Sequence, residues 1–162
     1  MSQALPPFVQ ACGHGVYAVD TGFVRPHFDA AYLMVHAGRA AIIDTGPAPG
    51  VPHILGALEA LGVGLDAVDY VIPTHVHLDH AGGAGQLMRA CPNASLLVHP
   101  RGLRHMVDPT ALWAGATEVY GPEEMARAYG QVLPIASERP EMTHGGQRVR
   151  LAGRELLFAD TP

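Results

Sequence analysis

One short stretch constrains this chain more than any other. Residues 74–83 read Thr-His-Val-His-Leu-Asp-His-Ala-Gly-Gly and directly follow an apolar run at residues 70–73 that is typical of a buried strand. Three imidazoles and a carboxylate lie within six positions, and such nitrogen and oxygen donors suit a zinc- or iron-type ion. A chance group of surface histidines explains this pattern poorly. The stretch therefore predicts a metal site at the end of a strand.

The spacing of the donors predicts how they are arranged. In an extended segment, alternate side chains point to the same side. We therefore expect His75, His77 and Asp79 to converge on one side of the loop. His80 occupies the next position and should point in a different direction, so that one loop could serve two metal ions. The two glycines that follow allow the chain to turn tightly away from the site.

Strand-like and helix-like patterns alternate along the rest of the chain. Strand patterns occupy residues 15–19, 31–36, 39–44, 70–72, 94–98, 147–151 and 155–160. Helical patterns occupy residues 53–61, 84–90, 102–107, 110–119 and 123–129. The second and third strands form one hairpin, and their nearly continuous apolar character predicts burial on both faces. The last two strands form another hairpin. This order predicts an α/β (α+β) fold in which a mixed β-sheet carries helices on one face.

At residues 75–80 the chain resembles the metallo-β-lactamase superfamily of hydrolases, whose signature is a His-x-His-x-Asp-His loop after a buried strand. The resemblance extends back to residues 41–46, Ala-Ile-Ile-Asp-Thr-Gly, which are similar to a family strand that ends in an Asp-x-Gly turn. It implies that Asp44 is buried and supports the ligand loop. Residues 148–162 are similar to paired strands that in the family lead to a Thr-Pro-Gly-His turn.

The resemblance implies a single domain over residues 1–162 that corresponds to the N-terminal half of a four-layer αββα sandwich, truncated at its C-terminus. It also implies two divalent metal ions, with zinc expected and iron or manganese as alternatives. His75 and His77 would hold the first ion. Asp79 and His80 would hold the second, and Asp79 would also act as the catalytic carboxylate. The implied reaction is hydrolysis of an ester, thioester, lactone or β-lactam in a small-molecule substrate.

The number of ligands leads to a further expectation. A catalytic zinc ion normally has three protein ligands, and the pairs just named supply two ligands to each ion. The resemblance places the missing ligands beyond Pro162. We therefore expect the 162-residue chain to be a poor catalyst by itself.

Two other functions remain open on the sequence. A single-iron oxidoreductase similar to the persulfide dioxygenases would carry the same ligand loop, and bound iron with oxygen consumption would identify it. A catalytically incompetent fragment or binding module is the second alternative, which metal stoichiometry tests. The sequence has no Gly-x-Ser-x-Gly motif and no phosphate-binding glycine-rich loop, which disfavours serine-nucleophile and nucleotide chemistry.

Composition narrows the possible partners and compartment. The formal net charge is −5 and all ten basic residues are arginines, so the chain shows no basic footprint for nucleic acid. No apolar run approaches the roughly 20 residues of a membrane helix, and residues 1–7 do not resemble a signal peptide. The two cysteines are too few to indicate a disulfide framework, which favours a cytoplasmic protein. An incompletely covered sheet would favour association, so a homo-oligomer is a further expectation.

The remaining histidines have no ligand-like spacing and are expected to face solvent or to make local hydrogen bonds. Two of them are of interest: His99 ends a strand beside a helical insertion that is expected to border the site, and His144 belongs to a turn whose position the sequence does not indicate. Trp113, Tyr120 and Met125 belong to the helical region where family specificity varies, and packing on helix faces is the favoured interpretation of each.

Overall fold

The computed structural model describes residues 4–161. The prediction of no signal peptide depends in part on residues 1–3, which lie outside the described residues. The prediction of a truncated C-terminus depends on Pro162, which also lies outside them. Within residues 4–161, no helix combines the length and the apolar character needed to cross a membrane. Cys12 and Cys91 are free thiols, Cys12 exposed and Cys91 buried.

A seven-stranded sheet forms the centre of the protein, and its strands lie in their order along the chain. These strands are β1 (Val9–Gly13), β2 (Val16–Asp20), β3 (Ala30–His36), β4 (Arg39–Ile43), β5 (Val68–Ile72), β6 (Ser95–Val98) and β7 (Pro140–Met142). Strands β1 to β4 pair antiparallel, and β4 to β7 pair in parallel. The sheet is therefore mixed, as predicted. Because parallel strands run in one direction, the segments that follow β4, β5, β6 and β7 all leave the sheet at the carboxyl ends of these strands.

Helices cover one face of this sheet. They are α1 (Val51–Ala60), α2 (Leu78–Ala81), α3 (Ala84–Ala90), α4 (Pro100–Val107), α5 (Thr110–Tyr120) and α6 (Pro122–Glu124), which continues into a π-helical turn (Met125–Tyr129). Short 3₁₀ turns occupy Ala48–Gly50 and Leu65–Ala67. The main core joins α1, α3 and α4 to the sheet through fully or almost fully buried side chains that include Ile54, Leu58, Leu87, Met106, Leu33, Val71 and Leu96. The predicted arrangement of helices on one face is confirmed.

A two-stranded hairpin packs against part of the opposite face. It consists of β8 (Arg148–Leu151) and β9 (Arg154–Leu157). Leu151 is fully buried in a cluster with Ala41, Ile72 and Leu97, but Tyr32 on β3 is 41% exposed. The prediction of burial on both faces is therefore correct for β4 and wrong for β3, because the hairpin contacts the middle of the sheet and does not bury Tyr32.

Two strands were not predicted from the sequence. Strand β1 is an edge strand, and four of its five residues are exposed, so it lacks the apolar pattern that identifies a buried strand. Strand β7 has only three residues and begins with Pro140, which is compatible with an edge position. Hydrophobic periodicity therefore does not identify either edge strand.

The Arg139 side chain fastens the edge strand β7 to helix α3. Its guanidinium donates hydrogen bonds to the carbonyl oxygens of Met88 at 3.2 Å, Cys91 at 3.0 Å and Ala94 at 2.7 Å. The last carbonyls of a helix have no partner within the helix. Arg139 supplies donors to these groups and to the turn that leads into β6.

We expect the substitution Arg139→Gln to lower the free energy of unfolding by about 2–3 kcal/mol, because it removes charge-assisted hydrogen bonds to three carbonyls. Urea denaturation followed by circular dichroism measures this change. The control is Arg127→Gln, which removes an exposed pair with Glu124 and should have no measurable effect. Equal effects of the two substitutions would contradict the role assigned to Arg139.

Candidate metal centre

The turn after β4 is joined to the predicted ligand loop by backbone hydrogen bonds. The Thr45 amide donates to the His80 carbonyl oxygen at 2.7 Å. The Gly83 amide donates to the Gly46 carbonyl oxygen at 3.1 Å and to Thr45 Oγ1 at 3.0 Å. A Cβ atom at position 83 would lie 2.6 Å from Val51 Cγ2. Close packing, rather than a left-handed backbone conformation, therefore accounts for this glycine.

Asp44 lies between the turn and the loop and is only 7% exposed. Its carboxylate accepts hydrogen bonds from the Thr74 amide at 2.7 Å, from Thr74 Oγ1 at 2.9 and 3.0 Å, and from His80 Nδ1 at 3.0 Å. A buried carboxylate needs such partners because burial without them is costly. Its backbone has a φ of 56°, a left-handed conformation that aspartate adopts more readily than most residues. The expected burial and contacts of Asp44 agree with the structure.

These contacts fix the orientation of two imidazoles. His80 Nδ1 faces a carboxylate and therefore carries the hydrogen, which leaves Nε2 as the free nitrogen. The Thr74 hydroxyl donates to Asp44, so it can only accept from His75 Nδ1, 3.1 Å away. His75 thus also has Nε2 free. This assignment follows from the hydrogen-bond network. The sequence reasoning gave no role to Thr74, although a hydroxyl residue directly before the motif is a signal that could have suggested one.

The three imidazoles of the motif lie together. The ring centroid of His75 is 4.2 Å from that of His80 and 4.9 Å from that of His77. Asp79 Oδ2 lies 3.5 Å from His80 Nε2. Burial lowers the pKa of His75, and the neighbouring His80 and His77 lower it further. A lowered pKa favours the neutral imidazole, which is the form that binds a metal ion.

The arrangement within the loop differs from the predicted alternation. The chain after His77 turns into helix α2, so Asp79 and His80 lie on a helical turn rather than on an extended segment. Successive helical side chains are rotated by about 100°, and the alternation argument therefore fails for Asp79. The ring of His80 packs against His75 and does not point away from it.

The donor set fits a divalent ion in its chemistry, because neutral imidazole and carboxylate are common ligands of zinc, iron and manganese. Over residues 4–161, however, no three His, Cys, Asp or Glu side chains are arranged to hold one ion. The assignments of His75, His77, Asp79 and His80 as ligands therefore remain predictions. The same holds for the supporting role of Asp44 and for the number and identity of the ions.

The other residues considered on the sequence lie outside this cluster of contacts. His99 accepts a hydrogen bond from the Arg101 amide at the start of α4, and His144 contacts the adjacent Gly145 carbonyl oxygen. Met125 is fully buried and packs in one cluster with Trp113 and Leu78, the residue between His77 and Asp79. The packing interpretation agrees with the positions of Met125 and Trp113, whereas Tyr120 is 55% exposed.

The loop between β2 and β3 borders the cluster, and the sequence reasoning assigned no role to Asp29 at its end. The Thr21 hydroxyl donates to Asp29 Oδ2 at 2.6 Å, and the Thr21 amide donates to the Asp29 carbonyl oxygen at 3.1 Å. Burial raises the pKa of Asp29, the Thr21 hydrogen bond and His80 lower it, and the nearby Asp79 and Asp44 raise it. A single aspartate without ligand-like spacing offers no sequence signal for this proximity.

Known structures with the same fold are metallo-β-lactamases. The structure of SMB-1 in complex with mercaptoacetic acid matches with a TM-score of 0.72 and 20% identity, over 100% of this chain and 56% of that chain. MEM-A1, a subclass B3 enzyme from a soil metagenome library, gives a TM-score of 0.70 and 23% identity, over 98% of this chain and 54% of that chain. FEZ-1 from Legionella gormanii gives 0.68 and 22%, with 100% and 55% covered. The fold is therefore that of the metallo-β-lactamases.

The family model of the metallo-beta-lactamase superfamily matches residues 24–162, and the chain belongs to this superfamily. A curated relative, Ribonuclease TTHA0252 from Thermus thermophilus, is 28% identical over 149 residues, which are 86% of this chain and 31% of that protein. The chain spans less than a third of this relative and about half the length of the matching structures. The predicted fold class and family are confirmed.

We expect Asp44→Asn to weaken zinc binding by roughly 10–100-fold, because the residues that orient metal ligands contribute to affinity at about this level. Asparagine tolerates the positive φ at this position, so the backbone can keep its conformation. Competition titration with a chromophoric chelator measures the affinity.

The matched control is Asp66→Asn, which changes an exposed aspartate on a 3₁₀ turn away from the loop. It should leave zinc affinity unchanged. If both variants bind zinc as the unsubstituted chain does, Asp44 does not support the ligands.

Proposed function

We propose that the protein is a metal-dependent hydrolase that acts on an ester, thioester, lactone or related carbonyl compound. The observation that carries this proposal is the cluster of His75, His77 and His80, in which buried Asp44 orients His80 directly and His75 through Thr74. Superfamily membership supports the general class of reaction. Hydrolysis of a carbonyl substrate is the reaction that the sequence resemblance implies.

A bound divalent ion would acidify its water to a pKa of about 7 and polarise the carbonyl group. The residues of the chain would position the reactants. His75, through its free Nε2, and His77 would hold one ion, and Asp79 with His80 would hold the second. In the overall reaction, water adds to the carbonyl carbon, the bond to the alcohol or thiol breaks, and the departing group takes up a proton.

Asp79 is suited to move that proton. Its side chain is 38% exposed, so it can reach both the ligand cluster and a substrate, and its Oδ2 already lies near His80 Nε2. A carboxylate in this position can accept the proton of the attacking water and pass it to the leaving group. Because two ligands for each ion are fewer than the usual three, we propose that further ligands come from outside residues 4–161.

Phosphodiester hydrolysis is the second candidate, because one relative is named as a ribonuclease. Contacts to nucleic-acid phosphates normally come from lysine and arginine side chains. This chain has no lysine and carries a net charge of −5. Its charge therefore favours a carbonyl substrate over RNA.

The test is to load the protein with zinc, manganese or, without oxygen, ferrous iron, and to measure three activities on each sample. These are hydrolysis of p-nitrophenyl acetate, hydrolysis of bis-(p-nitrophenyl) phosphate, and oxygen uptake with glutathione persulfide. We expect metal-dependent ester hydrolysis that chelation abolishes, at a low rate for the 162-residue chain because each ion has two of its usual three protein ligands. Oxygen uptake by the iron form alone, or hydrolysis of the phosphodiester alone, would refute the proposal.

The variant His77→Ala should lower the ester rate at least about 100-fold and reduce bound metal, because it removes a ligand. The matched control is His36→Ala, since His36 is an exposed histidine at the far end of β3. It should retain full activity and metal content. A variant at position 77 with unchanged metal content would remove His77 from the ligand set.

A further inference from the structure

A pocket of about 670 Å³ lies in the helical layer of the protein. Its walls come from the segment that begins α5, from the π-helical turn and from residues 130–134. None of the described residues that line it belongs to the turn after β4 or to the ligand loop at residues 74–83. Small-molecule sites in proteins commonly have volumes of about 300–1,000 Å³ and largely apolar walls. The pocket is therefore large enough for a small ligand of its own.

The pocket is built on the helical face of the sheet. Leu112 of α5 packs against the main core. The Ile135 amide donates a hydrogen bond to the Met106 carbonyl oxygen of α4 at 2.9 Å. The backbone of Leu133 passes so close to Gly85 of α3 that a Cβ atom there would overlap the Leu133 carbonyl oxygen. Since the β8–β9 hairpin packs against the other face, the pocket does not belong to the sheet face that the hairpin leaves open.

The walls of the pocket are held by packing and by a hydrogen bond. Gln86 Nε2 of α3 donates to the Gln131 carbonyl oxygen at 2.6 Å. Trp113 and Val132, which both line the pocket, pack against the cluster that contains buried Met125. Walls that are fixed before binding lower the entropic cost of holding a ligand.

Most of the lining is apolar, and one wall is aromatic. The apolar residues are Pro109, Trp113, Ala126, Val132 and Pro134. An indole ring offers a large apolar surface, and its quadrupole attracts cations to the ring face. Trp113 is only partly buried, so its ring remains accessible to a ligand. These walls suit a ligand with an apolar body.

Asp108 is the only ionised side chain among the described residues that line the pocket. Contacts with the side chain and the amide of Thr110 lower the pKa of Asp108, so its carboxylate is negatively charged at neutral pH. No basic side chain of residues 4–161 forms an ion pair with it. A helix N-terminus attracts anions, but Asp108 already accepts from the Thr110 amide at 3.1 Å, and an added anion would lie beside its charge.

We propose that this pocket binds a small organic cation, whose aromatic or alkyl body occupies the apolar walls and whose ammonium group pairs with Asp108. Charge complementarity carries this inference, because the described lining holds one carboxylate and no basic side chain to neutralise it. An ammonium group also donates the hydrogen bonds that a carboxylate accepts. The inference goes beyond the proposed hydrolase function and does not depend on it.

The test is a fluorescence titration of the intact, metal-free protein at pH 7. Trp113 is the only tryptophan of the sequence, so its fluorescence reports on this pocket. The ligands are phenethylamine, 2-phenylethanol and 3-phenylpropionate, which share a phenylethyl body and differ in charge. We expect the amine to bind at least about threefold more tightly than the alcohol, and the carboxylate to bind most weakly. An amine that binds no more tightly than the alcohol, or no response to any ligand, overturns the proposal.

The variant Asp108→Asn removes the charge and keeps an oxygen that can accept from the Thr110 amide. We expect it to bind the amine and the alcohol equally. The matched control is Glu118→Gln, which neutralises an exposed acid of α5 outside the pocket and should keep the preference for the amine. Equal loss of preference in both variants would show that net charge determines binding, which overturns the proposal. An unchanged preference in an Asp108→Asn protein with a native circular dichroism spectrum also overturns it.

A second variant fills the pocket instead of changing its charge. Ala126 lines the pocket and is exposed, so the larger side chain in Ala126→Phe should abolish the response to all three ligands. The matched control is Ala114→Phe, at an exposed position of α5 outside the pocket, and it should bind the ligands as the unsubstituted protein does. Binding that survives Ala126→Phe would place the ligand elsewhere and overturn the proposal.

Discussion

The candidate site depends on the hydrogen bonds that the Asp44 carboxylate accepts from Thr74 and His80. This carboxylate joins the turn after β4 to the loop after β5, and its acceptors determine which nitrogen of His75 and His80 remains free. Losing any of these donors would leave part of a buried charge without a hydrogen bond, which is unfavourable, so the Thr74 and His80 donors are held in place. Strand pairing brings the ends of β4 and β5 together, and the Asp44 carboxylate then orients the imidazoles of His75 and His80.

Parallel pairing supplies the geometry that this carboxylate needs. Ile43 is in register with Ile72, so the segments that leave β4 and β5 begin side by side at one edge of the sheet. The antiparallel half of the sheet contributes differently, through the loop that ends at Asp29. This loop and the ligand cluster therefore lie next to each other where the two halves of the sheet join.

The two faces of the sheet differ in what covers them. On one face, helices bury the strands in a continuous core. On the other face, the β8–β9 hairpin buries Ala41, Ile72 and Leu97 and leaves Tyr32 partly open. This difference explains why near-continuous apolar strands did not imply burial on both faces within the described residues.

The sequence by itself determined the donor set, the strand that precedes it, the hairpins and the helical segments, because these depend on local spacing and hydrophobic periodicity. It also determined the family, since the motif and the Asp-x-Gly turn are both local. Only the tertiary structure decided that Thr74 links Asp44 to His75, that a helical turn brings His80 onto His75, and that Asp29 borders the cluster. Asp29 and His80 line one pocket although they are 51 positions apart in the sequence, and their proximity depends on strand pairing that no local pattern encodes. The edge strands β1 and β7 were not predicted for a related reason: a mostly exposed strand and a three-residue strand show too little hydrophobic periodicity.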